Sequence, residues 1–598
     1  MEPITPSLLK LGAACRCVGP STVHPYSLLT MHREPLPHTF PACLLALFLL
    51  FNFLPAMADD DGHETEIAIQ QQLQQITLLG KTSGLDQPVR QREILAEVYG
   101  KESFVPLWTR PKQIAQLFAA ISDSRREGLR PEDYHHQALL VLNRILARKP
   151  SPLRAAELDI LLTDALLSLA HDRLFGKVDP LAIGDTWNFN PARREAVVHP
   201  LLAALREDRL SRLLAELSPS VPFYTDLVAA LTRYRSIADR GGWPQIPAGP
   251  SLSPGAKEPR VETLRRRLLV TGELSHLGPA PMLFDTELTR AVQAFQLRHN
   301  LETDGVVGKE TLAALNVPVT ERIEQIRVNL ERSRWVLRNL PDTFVIVDIA
   351  GFSLQYRHQG RLCWTTRVVV GQPYHQTPIF RSEIRKIVAN PTWTVPVRIA
   401  NREIVPQILK TQGYLAKEKM RILDASGREI SPSQIDFRQY AGKNFPYTFR
   451  QDAGPESALG LVKFNIENPF SVYLHDTPNK DLFGRTSRAF SHGCIRVQDP
   501  LRLASLLLGN DADNPGGFAG FERMLEKGKT ATIPLRNPVP VILMYWTAEA
   551  RDGVIWFRPD LYGRDRQMIQ ALDAPPDEST RLRQEPISKL RRAIPLTG

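Results

Sequence analysis

Residues 489–500 read AFSHGCIRVQDP and set one cysteine, Cys494, in a short turn two residues after His492. A thiol attacks a carbonyl as its thiolate, and needs a base or cation nearby to bring down a pKa of roughly 8.5. Two histidines are candidates for that base. His492 is near in sequence but would have to fold back across Gly493. His475, in VYLHDTP, stands at the end of a strand nineteen positions upstream, and PNKDLFGRTSRAF is long enough to bring strand end and turn together. Gly493 permits a backbone shape closed to other residues and lets substrate approach the thiol. The N–H groups of Gly493 and Cys494 can then point at one place as an oxyanion hole.

Working outward, the chain on both sides of this turn reads as strands. TFVIVDIA, FSLQYR and RLCWTTRVVVG alternate and are rich in β-branched residues, as are GLVKFNI and FSVYLHDT. Cys363, in the third of these, reads as a packed core residue. Residues 342–535 are therefore expected to form a mostly β domain. A mostly helical and loop insertion at about 399–456 would act as a lid that excludes water. Residues 536–598 are left as C-terminal strands and tail. Alternation puts Tyr473 on the face of His475, where its hydroxyl can serve the oxyanion or the substrate. Trp393, between prolines, Arg496, just past the thiol, and Ser491 are candidate substrate-binding residues. Lys463 reads as a surface strand residue.

The N-terminal half is helical. DILLTDALLSLAHDRLFG and DLVAALTRYRSIADR space apolar residues three and four apart, so residues 59–240 read as amphipathic helices of a scaffold without clustered catalytic side chains. GGWPQIPAGPSLSPGAKEP, at 241–259, reads as a Pro/Gly linker. Three helices follow in 260–316, the second capped by Asp285. Before them all, an apolar run from Ala42 to Pro55 ends in Ala56-Met57-Ala58. It is short for a bilayer span and fits a secretory signal, 1–58, with Met31 a possible true start; an uncleaved anchor is the alternative. Cleavage would remove Cys15, Cys17 and Cys43, leaving two thiols and no disulfide framework.

A chain of 598 residues with net charge +10 has basic residues scattered over helices and loops, a pattern that argues against nucleic acid and suits an anionic wall polymer. No phosphate-cradling glycine motif and no metal-ligand cluster is present in the sequence, so neither cofactor nor metal is expected.

Two resemblances join these readings. Phe284, Asp285, Ala291, Val292, Phe295, Gln296, Leu301, Asp304, Gly305, Gly308, Thr311 and Leu315 make 260–316 similar to the type 1 peptidoglycan-binding domain. His475 with Ser491-His492-Gly493-Cys494-Ile495-Arg496-Val497 resembles the L,D-transpeptidases, and NPTWTVP (390–396), ALGLVKFNI (458–466) and HDTPNKDLFGR (475–485) resemble their large Gram-negative subgroup. The resemblance implies a multidomain α+β protein: helical scaffold, peptidoglycan-binding domain, and β catalytic domain with a capping insertion. It implies a periplasmic enzyme of wall biogenesis that forms 3→3 cross-links through a Cys494 thioester. Its partners would be stem peptides, glycan strands and wall-synthesis proteins. Position 492 varies in that subgroup, which favours His475 as base and leaves His492 secondary. L,D-carboxypeptidase action, attachment of proteins to the wall, and an inactive wall-binding protein are the alternatives.

Overall fold

The computed structural model describes residues 59–184, 186–188, 195–509 and 516–576. The expected leader with Cys15, Cys17 and Cys43, and residues 577–598 of the tail, lie outside them. The described chain divides into two units, residues 341–545 and residues 59–340 with 546–576.

The first unit contains strands β1 (Phe344–Asp348), β2 (Ser353–His358), β3 (Arg361–Gly371), β4 (Phe380–Ala389), β5 (Trp393–Thr394), β6 (Met420–Leu423), β7 (Glu429–Ile430), β8 (Thr448–Gln451), β9 (Val462–Ile466), β10 (Leu474–His475), β11 (Ala489–Ser491), β12 (Ile495–Val497) and β13 (Ala531–Met544). Nine of them pair in the order β11-β3-β12-β10-β9-β4-β13-β1-β2, and β2 returns to β3, so the sheet closes on itself. Closure leaves no long open edge along this ring. One face is apolar: Ile387, Phe464, Leu474 and Ile495 are all fully buried. Because side chains alternate, the residues between them point to the opposite face. β10 and β12 are parallel neighbours, with Leu474 beside Ile495 and His475 beside Arg496. A parallel pair needs a crossover connection, which is what residues 476–494 provide.

Two sequence expectations are corrected in this unit, and one is extended. The insertion has the expected helices and loops, and in addition β5-β8-β6-β7 form their own antiparallel sheet over a core that includes Val395, Val405, Ile422 and Phe449. Strands of two to four residues are too short to show a period, so the helical segments dominated the reading. The boundary at 535 falls inside β13, which pairs antiparallel with β4 and parallel with β1. Its prolines suggested a break, but a register shift between Pro534 and Val539 absorbs them as a bulge. Cys363 is half-buried rather than packed in the core, because its end of β3 is the more exposed one.

In the second unit the helix Pro152–Phe175 is buried on nearly all sides, not on one stripe. Its carboxylates are satisfied internally. Asp159 accepts from the Tyr99 hydroxyl at 2.6 Å, and Asp172 pairs with Arg90 at 2.7 Å. The expected linker ends where a helix begins at Pro259; residues 241–258 form neither helix nor strand, yet Ile246 and Leu252 share a core with Phe284 and Phe295, so the segment is a packed strap. Proline bars regular structure there without barring burial. The hairpin β14 (Ala548–Arg551) and β15 (Val554–Phe557) also belongs to this unit, where Asn329 donates to the Thr547 hydroxyl at 2.7 Å. The late strands expected as one group are thus shared between the two units.

The three helices Pro259–Thr271, Thr286–Arg298 and Lys309–Leu315 show what their motif residues do. Asp285 accepts the Leu288 N–H at 2.9 Å as an N-cap. Gln296 donates to Asp304 at 2.8 Å and accepts from the Gly305 N–H at 2.9 Å, holding the turn before the third helix.

Candidate active site

Strand register builds the site. Cys494 immediately precedes β12, and the Ile495 N–H donates to the Tyr473 carbonyl at 3.0 Å. Tyr473 and His475 alternate along one strand, Cys494 and Arg496 along its neighbour, so all four side chains share the sheet face opposite Leu474 and Ile495. The Tyr473 and His475 rings meet edge to face at 5.5 Å. The Tyr473 backbone N–H and hydroxyl both face the Cys494 sulfur and favour its thiolate, Trp393 approaches the Tyr473 hydroxyl, and the thiol donates to the Ser471 carbonyl at 3.7 Å.

His475 is 5% exposed and its Nδ1 lies 2.5 Å from the Asp476 carbonyl oxygen. A carbonyl only accepts, so Nδ1 carries the proton and Nε2 is left with the lone pair. Asp476 is itself fixed, accepting from the Leu461 N–H at 2.9 Å and the Thr477 N–H at 2.7 Å and pairing with Lys480. Burial, helped by the nearby charges of Arg496, Lys463 and Lys480, holds the imidazole down to about 3. Burial pushes the Cys494 thiol up, against the donors from Tyr473 and the charges of Lys463 and Arg496. Both groups are therefore neutral at rest, a thiol and a free base on one face of the sheet.

Sequence comparison adds to this geometry. Residues 342–539 match the model of the L,D-transpeptidase catalytic domain.

The chain carries an L,D-transpeptidase catalytic domain.

Residues 257–315 match a peptidoglycan-binding domain and 93–231 a scaffold domain. The "Putative L,D-transpeptidase" of Haemophilus influenzae is 37% identical over 265 residues, 44% of this chain and 53% of that protein. The match therefore spans about half the length of that curated relative. Among solved structures, L,D-transpeptidases from Xylanimonas cellulosilytica (15% identical, covering 50% of this chain and 99% of that one, TM-score 0.15) and Stackebrandtia nassauensis (15%, 51% and 100%, TM-score 0.19) also match. Likeness at that level carries no weight for fold or chemistry.

Within the transpeptidase domain, the turn differs from expectation at Gly493 and Ser491. The Gly493 N–H donates to Ser491 Oγ at 3.1 Å and its carbonyl accepts from Thr377 Oγ1 at 2.9 Å, so its amide is not free for an oxyanion. Its φ of +110° remains the reason for glycine; a Cβ there would meet nothing closer than 3.5 Å. Ser491 is 2% exposed and donates to the Cys494 carbonyl at 2.5 Å, so it shapes the turn and does not touch substrate. His492 is drawn away from the thiol: Nε2 lies 2.6 Å from Glu403 of the capping insertion, and its ring is 4.8 Å from that of His375.

Trp393 opens the capping sheet and touches Tyr473. Arg496 is beside His475, with Nε buried and unpartnered. Lys463, expected on the surface, lies in the cleft with its ammonium 3.9 Å from the centre of the Tyr473 ring. Glu403, Thr377 and Asp476 were missed by sequence reasoning. Asp476 stood next to His475 in HDTP and could have been found; Glu403 is 89 positions from His492 and had no local signal.

Proposed function

We propose that the chain is an exported, periplasmic L,D-transpeptidase that forms 3→3 cross-links in peptidoglycan. The observation that carries this reading is the shared face of Cys494, His475 and Tyr473 within the matched domain. His475 Nε2 takes the proton from Cys494 as sulfur attacks the L-to-D amide of a tetrapeptide stem. The Tyr473 hydroxyl and the Cys494 N–H, for which the described residues supply no partner, are the donors available to the oxyanion. Collapse forms the thioester, and His475 returns its proton to the departing D-alanine nitrogen. The side-chain amine of diaminopimelate on a second stem then attacks the thioester and gives its proton to His475. The thiolate leaves and is reprotonated. The peptidoglycan-binding domain supports contact with the wall polymer, and the apolar run before Ala58 supports export.

The test is product analysis of the purified protein with tetrapeptide muropeptides. Dimers and D-alanine are expected, and none of either from Cys494→Ala. Tripeptide monomers without dimers would assign water as acceptor. Absence of any product or of a carbapenem adduct on Cys494 would leave only wall binding.

A further inference from the structure

The face that carries the thiol does not end at Tyr473. On β9, Lys463 is registered with His475, which sets Asn465 next to Tyr473, and on β4 Lys386 lies directly opposite Asn465. A groove of about 350 Å³ runs along this face, lined among others by Lys386, Lys463, Asn465, Ser471 and Tyr473. At adjacent-strand spacings of about 4.8 Å, Lys386 stands three strands, roughly 14 Å of backbone, from Cys494.

The charges in the groove are unbalanced. Arg385 is neutralised by Glu383 at 2.8 Å and Glu467 at 3.2 Å. Lys386 and Lys463 have no carboxylate partner among the described residues. Lys463 is half-buried, and burial together with the charge of Lys386 pushes its ammonium down. Asn465 Oδ1 is buried without a hydrogen-bond partner. Lys386 is exposed, so its charge acts on the half-buried Lys463 and is not itself a buried cost, whereas Asn465 Oδ1, an acceptor, calls for a donor. A ligand that satisfies both offers an anionic group to the lysines and an N–H to Asn465, as a peptide does, and because Ser471 and Tyr473 of the groove flank the thiol it is part of the molecule being acylated or deacylated.

We propose that Lys386 and Lys463, with Asn465 beside them, form a subsite for a free carboxylate of the stem peptide, so that the enzyme selects stems in which that carboxylate is not amidated. The inference rests on the peptidoglycan reading above. Peptide stems offer two such groups, the α-carboxylate of the glutamyl residue and the side-chain carboxylate of diaminopimelate.

The experiment uses the full chain with three tetrapeptide donors: unmodified, amidated at the glutamyl carboxylate, and amidated at the diaminopimelate side chain. Acyl-enzyme formation is followed by intact mass, and transfer by dimer yield. One amidation is expected to lower kcat/KM about ten- to a hundredfold, the scale of a lost charge-assisted hydrogen bond. Lys386→Ala should lower it for the unmodified stem and leave the amidated stem nearly unaffected, with Lys386→Arg restoring the preference. Which amidation matters names the carboxylate. A loss confined to transfer places it on the acceptor, and a loss in acylation places it on the donor. If amidation and lysine removal have no effect, or if their costs simply add, the subsite is refuted. A wild-type protein that neither releases D-alanine nor is acylated by any stem refutes the peptidoglycan reading instead.

Discussion

Raising or lowering pH should leave acylation of Cys494 nearly unchanged between pH 5 and 8. The buried His475 is held down to about 3, while burial lifts Cys494 above its ordinary 9. Moving the proton from sulfur to imidazole thus crosses a gap of at least roughly six pH units, about 8 kcal/mol. Attraction between the resulting charges, about 4 kcal/mol even at a 4 Å contact and an effective dielectric constant of 20, offsets only part of that. The neutral pair is therefore the resting state. The sign follows from each group. A depressed imidazole keeps its lone pair down to its lowered value, so no loss of base occurs near pH 6.5. A raised thiol gives no thiolate plateau below 9. Thiolate absorbance near 240 nm, taken as wild type minus Cys494→Ala, should be absent at pH 7. The rate of carbapenem acylation should stay flat from pH 5 to 8. A thiolate signal at neutral pH, or an acid limb between pH 6 and 7 that disappears in His475→Gln, would refute the reasoning.

Three further outcomes are expected. Tyr473→Phe removes the hydroxyl shared by Cys494 and Trp393, and kcat should fall about 10²–10³-fold with little change in the melting temperature. His492→Ala breaks only the contact with Glu403, so D-alanine release should stay within about threefold of wild type; a loss as large as that of His475→Ala would reverse the assignment of the base. Gly460 has φ +55°, and a Cβ there would lie 2.4 Å from the Asp476 carboxyl. Gly460→Ala should therefore displace the residue whose carbonyl orients His475. We expect kcat to fall at least tenfold with KM little changed, alongside a stability loss of about 1–3 kcal/mol by chemical denaturation.

The parts legible in the sequence were those in which local pattern and tertiary role coincide. Alternation along VYLHDTP placed Tyr473 and His475 on one face, and the turn SHGC marked the thiol; register then set the two strands side by side. The oxyanion role given to Gly493 and the substrate role given to Ser491 failed for one reason. The turn uses its own polar groups, and no sequence shows which N–H a neighbouring hydroxyl has already taken. Lys463 was misread because a strand residue in a groove and one on an open surface have the same alternation. The capping sheet, the bulged β13 and the packed strap at 241–258 escaped because their strands were too short or their prolines suggested breaks that long-range pairing and burial overrode.

The resting protonation of the pair also bears on how long the enzyme survives idle. Peroxides, disulfides and other soft electrophiles consume cysteine through its thiolate, and the first oxidation product opens the route to irreversible acids. A thiol that yields its proton only to a neutral imidazole, at the moment a carbonyl arrives, offers such reagents far less thiolate than a preformed ion pair would present. The same burial that denies His475 its charge gives Cys494 a long shelf life between substrates.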